Sequence, residues 1–237
     1  MTQLATTSES LLRTNGVSLT YFDGERKTYA VCNATIDLPP RGFIGVMGPS
    51  GSGKSSLLYV LSGLKRASEG SVIYGDRDLS DLTNAQMTAL RRESFGFVFQ
   101  QPWLISWQTA AENTLMGAPT VDKPARAKAC RFLNELGLAD YATKHPSQLS
   151  GGEKQRVCVA RAMMNDPRVI FADEPTASLD HRNGHLVIDL LARYREKGLV
   201  VVVTHDAEML QDADQVLIMR DGKTVDWVTP EELKHGK

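Results

Sequence analysis

The sequence is poor in the features of a secreted, membrane-spanning or polyanion-binding protein. It has only three cysteines, Cys32, Cys130 and Cys158, far apart and with no C-x-x-C pair. That spacing excludes a disulfide framework or a zinc ribbon and fits a reducing compartment. Neither sign of charge is in excess. The 27 Lys plus Arg and 28 Asp plus Glu leave a net charge of −1, so no broad basic field exists to hold a nucleic acid, and none is expected as a partner. No plainly apolar strand run exceeds Leu199–Val203, far short of the roughly 18–20 residues of a membrane-crossing helix. The first ten residues are polar, without the basic-then-apolar layout of a secretory leader. Residues 1–12 are expected to form a flexible tail.

What is present is punctuated apolar patterning. Val17, Leu19 and Tyr21 alternate with Ser18, Thr20 and Phe22, the period of a strand. A short β-like run spans 35–38. Phe43–Met47 is a buried-strand candidate, followed by a glycine-rich turn and then by Leu57, Val60, Leu61 and Leu64 at helical spacing. Strand, glycine loop and helix form the first half of a βαβ unit. Strands are also expected at 72–74 and 97–99. Helical stripes follow at Ala129, Phe132, Leu133 and Leu136, and from Ser150 to about Asn165. Val169–Ala172 and Leu199–Val203 lack any alternation, as in parallel sheets covered on both faces. Val187, Leu190, Leu191 and Tyr194 mark another helix, and 216–228 a terminal hairpin turning at Asp221-Gly222. The ends of the chain therefore read as α/β and the middle as helical.

Gly48, Pro49, Ser50, Gly51, Ser52, Gly53, Lys54 and Ser55 fit the phosphate-loop pattern G-x-x-x-x-G-K-[ST]. Glycines let successive N–H groups turn inward as an anion nest, and the following helix adds the positive end of its dipole. Lys54 can reach the outer phosphates, and the Ser55 hydroxyl can ligate Mg²⁺. Asp173 and Glu174 close the apolar run Val169–Ala172. Carboxylates at the end of a buried parallel strand sit where open α/β sheets bind ligands. Asp173 can hold Mg²⁺ through its waters, and Glu174 can orient or deprotonate an attacking water.

Residues 149–156, Leu-Ser-Gly-Gly-Glu-Lys-Gln-Arg, resemble the signature motif of ATP-binding-cassette (ABC) ATPases. The rest of that family's pattern is present in order: Walker A at 48–55, a Q-loop at 97–101, Walker B at 169–174, a D-loop at 177–180 and an H-loop at 204–206. The resemblance covers about residues 13 to 230. The wording is similar to the branch containing the lipoprotein-release and macrolide-export ATPases. The implied fold is an α/β P-loop core (13–100 and 161–237) with an N-terminal antiparallel β subdomain and an inserted helical subdomain (101–160), together one nucleotide-binding domain. Ser56 stands where the family more often has Thr; it lies in the nucleotide-binding stretch without touching the metal.

The resemblance also implies roles. Tyr21 would stack on adenine, with Phe22 its neighbouring competitor. Gln100, with Gln101 beside it, would contact Mg²⁺ or its water. His205 would contact the γ-phosphate. Ser150, Gly151 and Gly152 would bind the γ-phosphate held by a second subunit, and Asp180 would lie at the subunit seam. Catalysis then falls to Glu174, His205, Lys54 and Gln100, and metal binding to Ser55, Gln100 and Asp173. ATP and Mg²⁺ are the expected cofactors, and the expected assembly is a homodimer or a dimer with a closely related ATPase subunit. Trp103, Leu104, Ile105 and Trp107 follow the Q-loop; such a patch suits a partner, and the resemblance implies a transmembrane permease subunit. The expected place is the cytoplasmic face of a membrane. The competing reading is a soluble ABC ATPase acting as a conformational switch on a soluble scaffold, as in iron–sulfur cluster assembly. His181 and His185, four residues apart without an evident third ligand, read as a solvated helix start, and Arg91-Arg92 as a solvated helix end.

Overall fold

A computed structural model describes residues 10–24 and 26–234. Residues 1–9 of the expected tail lie outside the described residues, but the tail does not extend to residue 12. Leu12 is fully buried and opens the first strand.

Two sheets organise the chain. The first is antiparallel in its β1, β2 and β5 pairings: β1 (Leu12–Asp23) lies between β2 (Arg26–Ala34) and β5 (Glu69–Tyr74), with two-residue strands β3 (Asp37–Leu38) and β6 (Arg77–Asp78) at its margins. The second has six strands in the order β11-β10-β4-β9-β8-β7. These are β4 (Gly42–Met47), β7 (Phe95–Val98), β8 (Val169–Asp173), β9 (Leu199–Thr204), β10 (Gln215–Arg220) and β11 (Lys223–Val228). All its pairings are parallel except the β10–β11 hairpin.

The unbroken apolar strands follow from the sheet being covered twice. Side chains alternate between faces along a strand. Phe43, Ile170, Ala172, Val200, Val202 and Val216 enter one buried cluster, shared with the helices α4 (Lys123–Glu135), α5 (Gly151–Ala162) and α6 (His181–Tyr194) and with short α3 (Ala110–Leu115). Their strand neighbours Ile44, Val46, Val169, Phe171, Leu199, Val201 and Val203 enter a second cluster. That cluster is shared with α1 (Lys54–Leu61), α2 (Asn84–Ser94) and the first sheet. A polar side chain at any of these positions would lose apolar burial of about 1.5–3 kcal/mol per large residue. A five-residue helix, α7 (Pro230–Lys234), closes the described chain.

The topology gathers the chemistry at one edge. Met47 pairs with Thr204, and Asp173 with Val203, so the carboxyl ends of β4, β9 and β8 stand side by side. The phosphate loop leaves β4, His205 leaves β9 and Glu174 leaves β8. Gln100 lies two residues past the end of β7, the next strand in the sheet.

Candidate active site

The loop between β4 and α1 has the backbone that an anion cradle needs. Gly51 and Gly53 take φ of 77° and 96°, conformations that glycine adopts at little cost. A Cβ on Gly53 would collide with the carbonyl of Ala30 on β2, and one on Gly48 with the carbonyl of Met219 on β10. The loop is therefore wedged between the two sheets with no room for side chains at those points. Gly53 is also the N-cap of α1, and no side chain caps it, leaving the first N–H groups of α1 free of side-chain acceptors. The Lys54 amine is buried and donates to the carbonyl oxygens of Gly48 (2.8 Å) and Pro49 (3.0 Å). It is folded back over the loop that it would serve. The Ser52 hydroxyl is buried without a protein partner, close to the point where a Cβ on Gly48 would stand.

Across β9, α1 reaches the end of β8. The Ser55 hydroxyl donates to Asp173 Oδ1 at 2.8 Å, and the Tyr59 hydroxyl donates to Asp173 Oδ2 at 3.0 Å. Asp173 is only 3% exposed. Burial raises its carboxyl above the usual range, opposed by the hydrogen bonds from Ser55 and Tyr59 and by the charge of Lys54. Burial, with Asp173 adjacent, pushes the Tyr59 phenol up to about 12. A hydroxyl and a carboxylate together in this low-dielectric corner are the hard-oxygen donors that Mg²⁺ takes while keeping several waters. An arriving cation would offset the burial cost of Asp173.

Glu174 is the next residue and faces differently. Its φ of 46° is left-handed, a conformation uncommon for a non-glycine residue and concentrated at functional sites. The turn is fixed by its N–H bonding to the carbonyl of Val203 at 2.8 Å. Glu174 Oε1 lies 2.9 Å from His205 Nδ1, and Thr204 Oγ1 donates to Oε2 at 3.2 Å. With Nδ1 engaged by the carboxylate, His205 keeps Nε2 for another partner.

Three hydrogen-bonded groups thus meet at one sheet edge: Lys54 on its own loop, Ser55 and Tyr59 on Asp173, and Thr204 and His205 on Glu174. Tyr59 and Thr204 add to the residues that the sequence suggests. Tyr59 is four residues after Ser55 on a helix, so their shared face was readable from spacing alone. Thr204 was readable as the polar residue ending an apolar strand. Gln100 is exposed beside this cluster. Tyr21 is 38% exposed on the β1–β2 hairpin, whose second strand passes the loop at Ala30.

Ser150, Gly151, Gly152 and Asp180 form a separate surface. Ser150 caps α5 in a reciprocal box: its Oγ accepts from the Glu153 N–H at 3.2 Å, and Glu153 Oε2 accepts from the Ser150 N–H at 2.7 Å. The Ser150 hydroxyl also bonds the Glu153 carboxylate, and against the partial burial of that carboxyl these bonds hold it below the usual range. Gly152 packs against the D-loop, where a Cβ would lie 2.9 Å from Leu179 Cδ2. Gly151 is open, with only Ser178 Cβ at 4.0 Å. Asp180 caps α6, accepting from the Asn183 N–H at 3.0 Å and from its Nδ2 at 2.6 Å. These bonds hold its carboxyl below the usual range. Behind this surface Gln155 is fully buried and donates from Nε2 to the carbonyl of Phe99 at 2.8 Å. The sequence motif contains Gln155, but nothing in it shows the tie to the residue before Gln100.

The segment after Gln100 is anchored through its backbone. The Asn113 side chain accepts from the Ile105 N–H (2.7 Å) and donates to its carbonyl (3.1 Å), while Arg161 donates to the carbonyl of Trp103 at 2.7 Å. Trp103 and Trp107 remain 64% and 77% exposed, and Leu104 packs on the core. His181 and His185 face each other, Nε2 to Nε2 at 3.2 Å, with Glu208 at 3.2 Å from His181. Among the described residues, no group of three His, Cys, Asp or Glu side chains is disposed to hold a metal ion. No helix among them is long and apolar enough to cross a membrane.

Comparison with known proteins gives the chain a family. The model of the family described as "ABC transporter" matches residues 31–177. The macrolide export ATP-binding/permease protein MacB 1/2 of Paracoccus denitrificans is 42% identical over 226 residues, 94% of this chain but only 34% of that protein. The uncharacterized ABC transporter ATP-binding protein MJ1508 of Methanocaldococcus jannaschii is 41% identical over 210 residues, covering 87% of this chain and 94% of that one. Among solved structures, the dimeric post-hydrolysis state of the ATP-binding cassette MJ0796 bound to ADP and Pi superposes with a TM-score of 0.87. It is 34% identical and covers 92% of this chain and 98% of that chain.

Proposed function

This chain belongs to the ABC transporter family, and from that membership we propose that it is the ATP-hydrolysing subunit of a membrane transporter, closing as a dimer over two ATP molecules. Its enzymatic class is ATPase, working on ATP with magnesium. The observation that carries the site assignment is the pairing at the sheet edge: Ser55 on Asp173, and Glu174 on His205, one residue apart along β8 and its exit.

Hydrolysis of a phosphoanhydride needs positioning and charge neutralisation more than covalent help. The backbone N–H groups of the loop and Lys54 would hold the phosphates. Tyr21 would stack on the adenine. Ser55 and Asp173, with Gln100, would hold the magnesium ion, which when bound neutralises phosphate charge. Glu174, held by His205 and Thr204, would accept a proton from the attacking water, and His205 Nε2 would meet the γ-phosphate. Ser150 and the first N–H groups of α5 would complete the site from the second protomer, where helix N-termini favour anions. Asp180 would lie at the seam. The dimeric ADP- and Pi-bound relative supports this arrangement.

The likeness to an ATP-binding/permease protein of which this chain spans a third supports a role in export or lipoprotein release, at the cytoplasmic face of a membrane. Transmembrane partners would dock on the segment 103–107. Two exposed indoles on a backbone-anchored loop suit such anchors, since buried Trp dominates many interfaces. Replacing Trp103 and Leu104 together with Ser is expected to abolish co-purification with the membrane subunit, each anchoring Trp contributing about 2 kcal/mol or more. Unchanged co-purification, with the chain still folded, would remove this surface from the account.

A further inference from the structure

Asp173 is held from two sides by one helix. Ser55 and Tyr59 are a turn apart on α1, and each gives its hydroxyl to a different oxygen of the same buried carboxylate: Ser55 to Oδ1 at 2.8 Å and Tyr59 to Oδ2 at 3.0 Å. A carboxylate tied at only one oxygen can turn about its χ2, a broad torsion for Asp. Tied at both, it is fixed in plane. The Tyr59 ring is half-buried and packs against the cluster beneath the sheet, with Leu57, Leu58, Val60 and Leu61 of the same helix buried in it. The phenol therefore reaches Asp173 from an anchored body rather than from solvent.

We propose that Tyr59 is a positioning residue for the metal side of the site. It occupies Oδ2 of Asp173, so that Oδ1 stays with Ser55 and the two would be presented together to a magnesium ion. The inference rests on the assignment of Ser55 and Asp173 to the metal made above. Partners that orient a metal ligand commonly set metal affinity without touching the metal. Tyr59 would act in this way and would contribute nothing to the grip of loop and Lys54 on the nucleotide. It would therefore separate metal affinity from nucleotide affinity.

The test uses the full chain with ADP, which is not hydrolysed, and Mn²⁺ in place of Mg²⁺, followed by electron paramagnetic resonance. Tyr59→Phe keeps the ring and removes only the hydroxyl. The half-saturating Mn²⁺ concentration with ADP present is expected to rise about tenfold, with a changed Mn²⁺ spectrum. ADP affinity in EDTA and the metal-free melting temperature should stay at wild-type values. Asp173→Asn, measured alongside, should weaken Mn²⁺ at least as much. Wild-type or tighter Mn²⁺ binding in Tyr59→Phe, while Asp173→Asn is weakened, overturns the role of Tyr59 alone. Loss of metal-free ADP binding or of melting temperature in Tyr59→Phe also overturns it, by making the phenol structural. Wild-type Mn²⁺ binding in Asp173→Asn overturns the underlying metal assignment.

Discussion

Glu174→Gln is expected to bind ATP as the wild type does, to lose turnover by about 10²–10⁴-fold, the usual contribution of a positioned general base, and to accumulate as an ATP-bound dimer. The substitution is nearly isosteric. The left-handed turn at 174 is fixed by the backbone bond to Val203, and the amide can still accept from Thr204 through its oxygen. What disappears is the ability to take a proton from water. Nothing in the phosphate loop, in Lys54 or in the Ser55–Asp173 pair is altered. Nucleotide binding and closure, which depend on those groups, should therefore persist while the step that reopens the dimer is blocked. Closure is an equilibrium biased by ligand contacts, and a ligand that is not consumed keeps the bias in place. Gel filtration with ATP should show a stable dimer for the variant and a transient one for the wild type. A variant that turns over at the wild-type rate would remove Glu174 from its role.

The second large effect is expected at a residue that is idle within its own chain. Gly151 has open space where a Cβ would go, and it sits in the first turn of α5, where a carboxylate is favoured by the helix dipole. Gly151→Asp should therefore fold, melt at the wild-type temperature and bind ATP through its own loop. Yet its carboxylate would stand where the Ser150 hydroxyl and the α5 N–H groups are proposed to meet the partner's γ-phosphate. It would place negative charge against negative charge in a closed, water-poor seam. Turnover should fall at least ~10²-fold, comparable to losing an anion-stabilising donor, and ATP-driven dimerisation should weaken with it. Gly152 offers no such clean test, because its Cβ would press on Leu179 of the D-loop and disturb the chain that carries it.

Much of this was legible before the fold was known, and the reasons are local. The phosphate loop announces itself because glycine, Lys54 and Ser55 have to occupy fixed positions for their backbone and side-chain geometry to work. The strands β4, β8 and β9 are unbroken apolar runs because two clusters cover their alternate residues. The antiparallel strand β2 was harder to see. Its exposed Lys27, Thr28 and Tyr29 and half-buried Cys32 leave little alternation to read, and its partnership with β1 is a tertiary fact. Helix α2 is legible only at its end, Arg91-Arg92, because only Met87 and Leu90 along it are buried. Within the site, Asp173 and Glu174 are adjacent in sequence, yet their divergence follows from the left-handed turn between them. Tyr59 and Thr204 acquire meaning only once α1 and β9 are laid beside β8. The tie from Gln155 to the Phe99 carbonyl joins residues 56 positions apart, and no spacing rule finds it.

The most direct measurement of the central claim, an ATP site assembled from two chains, is hydrolysis by a mixture of two silent variants. Lys54→Ala spoils one chain's phosphate loop but leaves its α5 surface intact; Gly151→Asp does the reverse. Each alone should be inactive. When mixed, a dimer of one with the other contains one complete site, formed by the loop of the Gly151→Asp chain and the α5 surface of the Lys54→Ala chain, and hydrolysis should return. If the mixture remains as silent as its components, with both still folded, the site does not span two chains.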